Sequence, residues 1–122
     1  MQTAKLIIAE INTWVWLNDL EKKYGKSLTL DLIPSKEWDE LADLGFTAIW
    51  LMGIWMRSPR GKKISQENID LYDDYNRSLP DWKMEDLPGS PYCVKEYSVD
   101  PRFGGNRSLE VARKELASRK MK

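Results

Sequence analysis

The chain contains no histidine. That removes the usual general base, the commonest metal ligand and every Ser-His or Cys-His pairing. It has one cysteine, Cys93, which excludes an internal disulfide and leaves no thiolate metal cluster to expect. It has no surplus of either charge: 19 Lys+Arg balance 19 Asp+Glu. A general nucleic-acid or anionic-membrane binder carries a basic excess, so neither partner is expected. It lacks a long apolar run. The longest nearly unbroken one, Ala48 to Met56, is far short of the ~20 residues that span a bilayer. The first residues meet Glu10 too early for a signal peptide, which predicts a cytoplasmic chain. Gly-rich phosphate loops are missing too. Gly104-Gly105 is too short and follows Asp-Pro-Arg-Phe instead of a strand, so no cofactor is expected.

What is present suits one modest domain. The 122 residues are 42% hydrophobic and 31% charged, which excludes a wholly disordered chain. Six tryptophans are the excess: Trp14, Trp16, Trp38, Trp50, Trp55 and Trp82. So many require either a core or a sugar-binding surface.

Residues 5–12 read as a strand, β-branched and nearly continuous in apolar character, as for a strand buried on both faces. Thr13 to Leu20 reads as strand end or as a loop packed on the core, and Glu21 to Ser27 as a charged loop. A helix is predicted at about 35–44. Ser35 is its N-cap, Trp38, Leu41 and Ala42 share a face, and Gly45 follows as the residue able to take positive φ. Phe46 to Met52 is a second buried strand. Strand, helix and strand in that order predict a βαβ unit with parallel strands.

Residues 53–88 form a long excursion. A basic start leads to a helix at about 66–79, with Ser65 as N-cap, Ile64 and Ile69 as a hydrophobic staple, and Ile69, Tyr72 and Leu79 on one face. Seven acids against Arg77 and Lys83 in residues 64–88 make it acidic, either a solvated insertion or a charge-steering element. A last helix is predicted at about 107–119. Asn106 or Ser108 caps it, Leu109, Ala112 and Leu116 form its buried stripe, and basic residues close it.

Four segments in order carry a resemblance. They are Ile7-Ile-Ala-Glu-Ile-Asn12, Leu41-Ala-Asp-Leu-Gly-Phe-Thr-Ala-Ile-Trp-Leu-Met52, Ser90-Pro-Tyr-Cys-Val-Lys-Glu-Tyr97 and Val99-Asp-Pro-Arg-Phe-Gly-Gly105. Together they resemble the opening of the α-amylase family of glycoside hydrolases, over about residues 6–120 apart from 54–88. The resemblance implies an α/β fold: the first two strand–helix units of a (β/α)₈ TIM barrel, a fold of about 250 residues. It implies a hydrolase of carbohydrate metabolism acting on α-glucosidic bonds, with α-glucan or maltooligosaccharide as ligand. The family's catalytic carboxylates lie on later strands and have no counterpart here. The expectation is therefore an N-terminal fragment inactive by itself, with a homo-oligomer or the remainder of the barrel as partner. The alternatives are a non-enzymatic carbohydrate-binding or interaction module, and a subunit that completes its barrel with another chain.

By the same resemblance Tyr92 matches the tyrosine that stacks under the sugar beside the scissile bond. The other reading is a loop tyrosine covering the core. Trp14, Trp16 and Trp55 lie at or beyond strand ends and either stack on a sugar or cap the barrel; Trp50 reads as core. Glu10, Asn12, Glu96, Tyr97 and Asp100 match structural motif positions. Cys93 stands where many members have Asp, and Glu96 where Asp is commoner. Glu10, inside a buried strand, would need a hydrogen-bond partner or a shifted pKa. Retaining glycoside hydrolysis needs two carboxyl groups about 5–5.5 Å apart. Asp73-Asp74 and Glu85-Asp86 are neighbours, but adjacent helical residues point apart.

Overall fold

The computed structural model describes residues 5–122. They form two compact units: residues 5–54 with Ser98–Lys122, and Trp55–Tyr97.

In the first unit β1 (Ile8–Asn12) runs directly into α1 (Thr13–Tyr24). This helix replaces the expected strand end and charged loop. Asn12 starts it, its Oδ1 accepting from Val15 N–H, and Gly25 ends it at φ 65°. Thr13, Leu17 and Leu20 are buried, at i, i+4 and i+7. Trp16 meets Trp38 edge to face at 5.4 Å, and Trp14 meets Phe103 at 5.8 Å.

α2 (Ser35–Asp43) follows. Its N-cap is Pro34, and Ser35 makes no capping bond, contrary to the expected Ser35 cap. Trp38 is fully buried, and Gly45 adopts the positive φ anticipated for it, 89°. β2 (Ala48–Met52) then lies parallel to β1, pairing Ile8 with Ala48, Glu10 with Trp50 and Asn12 with Met52. The α/β class and the parallel two-stranded sheet are thus as expected.

Burial of both sheet faces is not. Paired residues share a face, so Ile8, Glu10, Ala48 and Trp50 lie together. Ile8 and Trp50 are each about half exposed (52% and 51%), and Glu10 is exposed. Trp50 is therefore not core, and Glu10 keeps its hydration. Ala9, Ile11, Ile49 and Leu51 occupy the other face and are partly buried.

The second unit begins with β3 (Trp55–Arg57), which pairs with β4 (Val94–Val99). The single helix expected at 66–79 is broken. α3 (Pro59–Glu67) is capped by Ser58, whose Oγ accepts from Gly61 N–H at 3.2 Å, with Pro59 at the first turn. Asn68 then leaves helical space at ψ 87°, and after a 3₁₀ turn over Ile69–Leu71 comes α4 (Tyr72–Ser78). Ser65 lies inside α3 and caps nothing. Ile64 and Ile69 are exposed and form no buried staple. The apolar content collects elsewhere: Tyr72, Tyr75 and Trp82 pack with ring centroids 5.2–6.0 Å apart. Their polar tips are used, Tyr72 donating to Gln66 O and Trp82 to Asn76 Oδ1. No residue of this unit is fully buried.

The chain leaves the first unit at Ile54 and returns at Ser98. Asp100 N–H donates to Ile54 O at 2.8 Å, joining the two crossings. α5 (Gly105–Ser118) starts at Gly104, φ 98°. Neither Asn106 nor Ser108 caps it. Asn106 Oδ1 accepts from Val99 N–H at 2.8 Å, and the Ser108 hydroxyl bonds Asp31. Ser108, Ala112 and Leu116 form its buried stripe; Leu109 is only partly buried.

α5 ends in a Schellman turn. Lys120 N–H donates to Ala117 O at 3.0 Å and Met121 N–H to Leu116 O at 2.9 Å, with Lys120 at φ 59° and both Leu116 and Met121 buried. This turn lays Lys122 against β2. Lys122 N–H donates to Thr47 O at 3.0 Å and Ile49 N–H donates to Lys122 O at 2.8 Å. The two bonds flank Ala48 in the pattern of a parallel bridge. Ala48 N–H itself points to β1, donating to Ile7 O, so Lys122 sits on the opposite edge of β2.

Candidate functional site

Tyr92 lies in the turn before β4, its N–H donating to Ser90 Oγ at 3.2 Å. It is 72% exposed and does not cover the core. Tyr97, on β4, is 80% exposed. Its ring stands edge to face with Trp55 of β3, centroids 5.8 Å apart at 78°. Trp55 is partly buried. The second unit thus presents Tyr92, Tyr97 and Trp55 on or beside one strand pair. An exposed aromatic face can pack on the C–H groups of a sugar ring while the phenol still hydrogen-bonds. Tyr97 read as a structural motif residue in the sequence; its exposure was not visible there.

The other tryptophans expected near the site serve the first unit. Trp16 packs on Trp38, and Trp14 lies between Phe103 and the Arg102 guanidinium, which sits 5.7 Å from its ring centroid. Both cap a core. Asn12 caps α1, and Asp100 Oδ1 accepts from Arg102 N–H at 2.8 Å in the turn Pro101–Phe103. Glu96 is exposed on β4.

Arg102 was passed over in the sequence as a spacer of the Asp-Pro-Arg-Phe motif. It borders a cleft of about 440 Å³ with Asn18, Glu21, Thr29 and Leu32. Its guanidinium donates to Leu28 O, Asn18 Oδ1 and Glu21 Oε2 at 3.0–3.1 Å. With these partners and Trp14 above it, Arg102 organises the loop after α1 and offers little to a ligand.

Two carboxylates are held by packing contacts. Glu37 is buried and accepts from Lys23 Nζ and Tyr24 OH, both at 2.6 Å. Burial pushes its pKa up, but those two donors outweigh it and hold it below the usual value. Asp31 is also held low, by the hydroxyls of Ser108 and Thr29. Neither carboxylate is free to take a proton from a substrate. Of the neighbouring acids, Asp74 pairs with Arg77, and Asp86 Oδ2 accepts from Lys83 N–H at 2.7 Å. Among the described residues no group of three or more acids and Cys93 could hold a metal ion. No described helix is long and apolar enough to cross a membrane. The exposed rings of Tyr92 and Tyr97 offer aromatic stacking to a ligand. Compared with known proteins, the chain matches no family model, no curated protein and no solved structure.

Proposed function

We propose that this cytoplasmic chain supplies the first two strand–helix units of an α-amylase-like (β/α)₈ barrel and contacts α-glucan or maltooligosaccharide through Tyr92. By itself it has no glycosidase activity; the remaining strands come from the rest of the barrel or another copy. The observation that carries this reading is the bridge at Lys122. Lys122 bonds Thr47 and Ile49 on the edge of β2 away from β1, and in this reading it marks where a third parallel strand would begin, with α2 before β2 and α5 before that position. Sequential parallel strands separated by helices are the repeating unit of such a barrel. The four-segment resemblance supplies the substrate class.

In this reading Tyr92 stacks on one sugar ring. Stacking of this kind contributes on the order of 0.5–1.5 kcal/mol beyond buried area, so isolated binding is weak, about millimolar. Catalysis needs an acid and a nucleophile or base in addition, and those belong to strands beyond the second. A second reading, a self-contained carbohydrate-binding module, is favoured by the separate aromatic cluster of Tyr72, Tyr75 and Trp82.

The test combines hydrolysis of an aryl α-glucoside with NMR titration by maltose. The expected result is no turnover, millimolar binding, and loss of that binding in Tyr92→Ala. Turnover that copurifies with the chain and disappears in Glu10→Gln would overturn the inactive-fragment reading. Absence of any sugar binding would overturn the substrate class.

A further inference from the structure

We propose that Trp55–Tyr97 is a conditional element of the fold. It opens as one cooperative unit while the first unit stays folded, so the aromatic surface it carries exists only in the closed form. This property belongs to the segment whether or not Tyr92 contacts a sugar.

Burial is confined to the first unit. Among the described residues every buried side chain, from Thr13 to Met121, belongs to it. In the second unit Ile64 and Ile69 are 58% and 72% exposed, and Leu79 and Met84 are nearly half exposed. Tyr72, Tyr75 and Trp82 are only partly buried. Such side chains return only part of the transfer free energy that full burial gives. Local structure does not make up the difference. α3 has nine residues and α4 seven, short of the roughly 12–15 at which an isolated helix becomes marginal in water. β3 and β4 form a two-stranded sheet, which is marginal alone as well. Cys93 is free, so no disulfide staples a segment close to the ~40 residues below which a chain usually needs one.

Opening leaves the bonds of the first unit in place. At the base of the segment Asp100 N–H donates to Ile54 O at 2.8 Å, and both residues belong to the first unit. Ile54 and Val99 are buried there. The Ser108–Asp31 and Arg102–Glu21 bonds, the β1–β2 pairing and the Lys122 bridge also run between residues of the first unit. The segment can therefore gain chain entropy without parting Ile54 from Asp100.

Internal ties make the opening cooperative. Ser58 N–H donates to Cys93 O at 2.7 Å, Arg57 Nη1 to Gly89 O at 2.8 Å and Gln66 Nε2 to Met84 O at 2.9 Å. Each joins α3, or the residues leading into it, to the stretch 84–93. Gly89 is pressed against α3: at φ 89° an added Cβ would lie 2.9 Å from both Lys62 Cα and Lys62 N. Loss of one tie loosens the rest, as in other units that open below the global transition.

Trp55, Tyr92 and Tyr97 all lie in this unit. A ligand that binds them meets only the closed fraction, and by mass action it raises that fraction. The unit thus converts ligand occupancy into local order.

The experiment is native-state hydrogen exchange of the full chain, read by NMR as urea is raised below the global transition. Amides of α3 and α4 are expected to share one opening, with a lower free energy and a smaller urea dependence than amides of α1 and α5. Gly89→Ala adds left-handed strain to a backbone clash. It is expected to speed exchange in α3 and α4 about 5- to 30-fold and to leave α1 and α5 unchanged. Four results would overturn the proposal. They are a common opening free energy for both units in the wild type, separate openings for α3 and α4 that never merge, exchange throughout 55–97 at the rate of an unfolded chain, or equal acceleration of α1 and α5 in Gly89→Ala.

Discussion

Ser108 and Asp31, 77 positions apart in the chain, are joined in both directions. Asp31 N–H donates to Ser108 Oγ at 2.9 Å, and the Ser108 hydroxyl donates back to Asp31 Oδ1 at 2.5 Å. This clasp fixes α5 against the turn Leu30–Leu32. Thr29 reinforces it, its Oγ1 donating to the same carboxylate oxygen at 2.5 Å. Gly104 is required beside it. At φ 98° an added Cβ would lie 2.3 Å from Ser108 Oγ and 2.9 Å from Thr29 Cβ.

Breaking the clasp should therefore be costly. Ser108→Ala leaves a buried donor and acceptor set incomplete and is expected to lower stability by about 1–3 kcal/mol. Gly104→Ala adds backbone strain to a clash and is expected to cost about 2 kcal/mol or more. Urea unfolding measures both. Wild-type midpoints in the two variants would show that the clasp contributes nothing.

Acid should weaken the first unit through Glu37 and Asp31. Both have folded-state pKa values below their ordinary ones, 4.5 and 3.8. A lowered folded pKa means that the unfolded chain takes up protons first. The stabilisation is thus fully present above the ordinary values and is lost as pH falls through the lower folded ones. Thermal midpoints should be flat from pH 7 to about 5 and fall below about pH 4.5. In Glu37→Gln the upper part of that fall should shrink. An unchanged profile in this variant would remove Glu37 as the cause.

Thr13 should be better replaced by valine. Its side chain is fully buried, and Oγ1 finds no hydrogen-bond partner among the described residues. Thr13→Val keeps the branched shape and removes the unsatisfied oxygen, so a gain of about 1 kcal/mol is expected. A loss of that size in chemical denaturation would instead indicate a buried water bridging the hydroxyl.

Self-association should follow from the sheet. A two-stranded sheet has two open edges, and Lys122 begins to occupy that of β2. Among the described residues β1 has no strand on its other edge, and Leu6, Ile8 and Trp50 are 63%, 52% and 51% exposed. An unpaired edge with apolar residues beside it invites pairing with another chain. Light scattering behind size exclusion is expected to give a dimer or larger species at micromolar concentration, and Ile8→Lys to shift it toward monomer. A monomeric mass across a hundredfold dilution would favour the self-contained module.

The sequence by itself determined the features that depend on local chemistry. The apolar runs at Ile8–Asn12 and Ala48–Met52, the Trp38 face of α2, the positive φ of Gly45 and the Ala112–Leu116 stripe follow from periodicity and from glycine's lack of a Cβ. α1 was legible in part: Thr13, Leu17 and Leu20 at helical spacing, then Lys22, Lys23 and Gly25. Trp14, Val15 and Trp16 masked it, because aromatic and β-branched residues favour strands until tertiary packing on Trp38 and Phe103 decides otherwise. The caps misled for a similar reason. Ser35, Ser65 and Ser108 are all competent N-caps, and which hydroxyl caps depends on where the backbone turns. Exposure was beyond the sequence altogether. Glu10 and Trp50 lie in strands that read as buried, and Tyr97 in a motif that reads as structural. Whether each meets water is set by what packs across its face, and only the tertiary structure decides that.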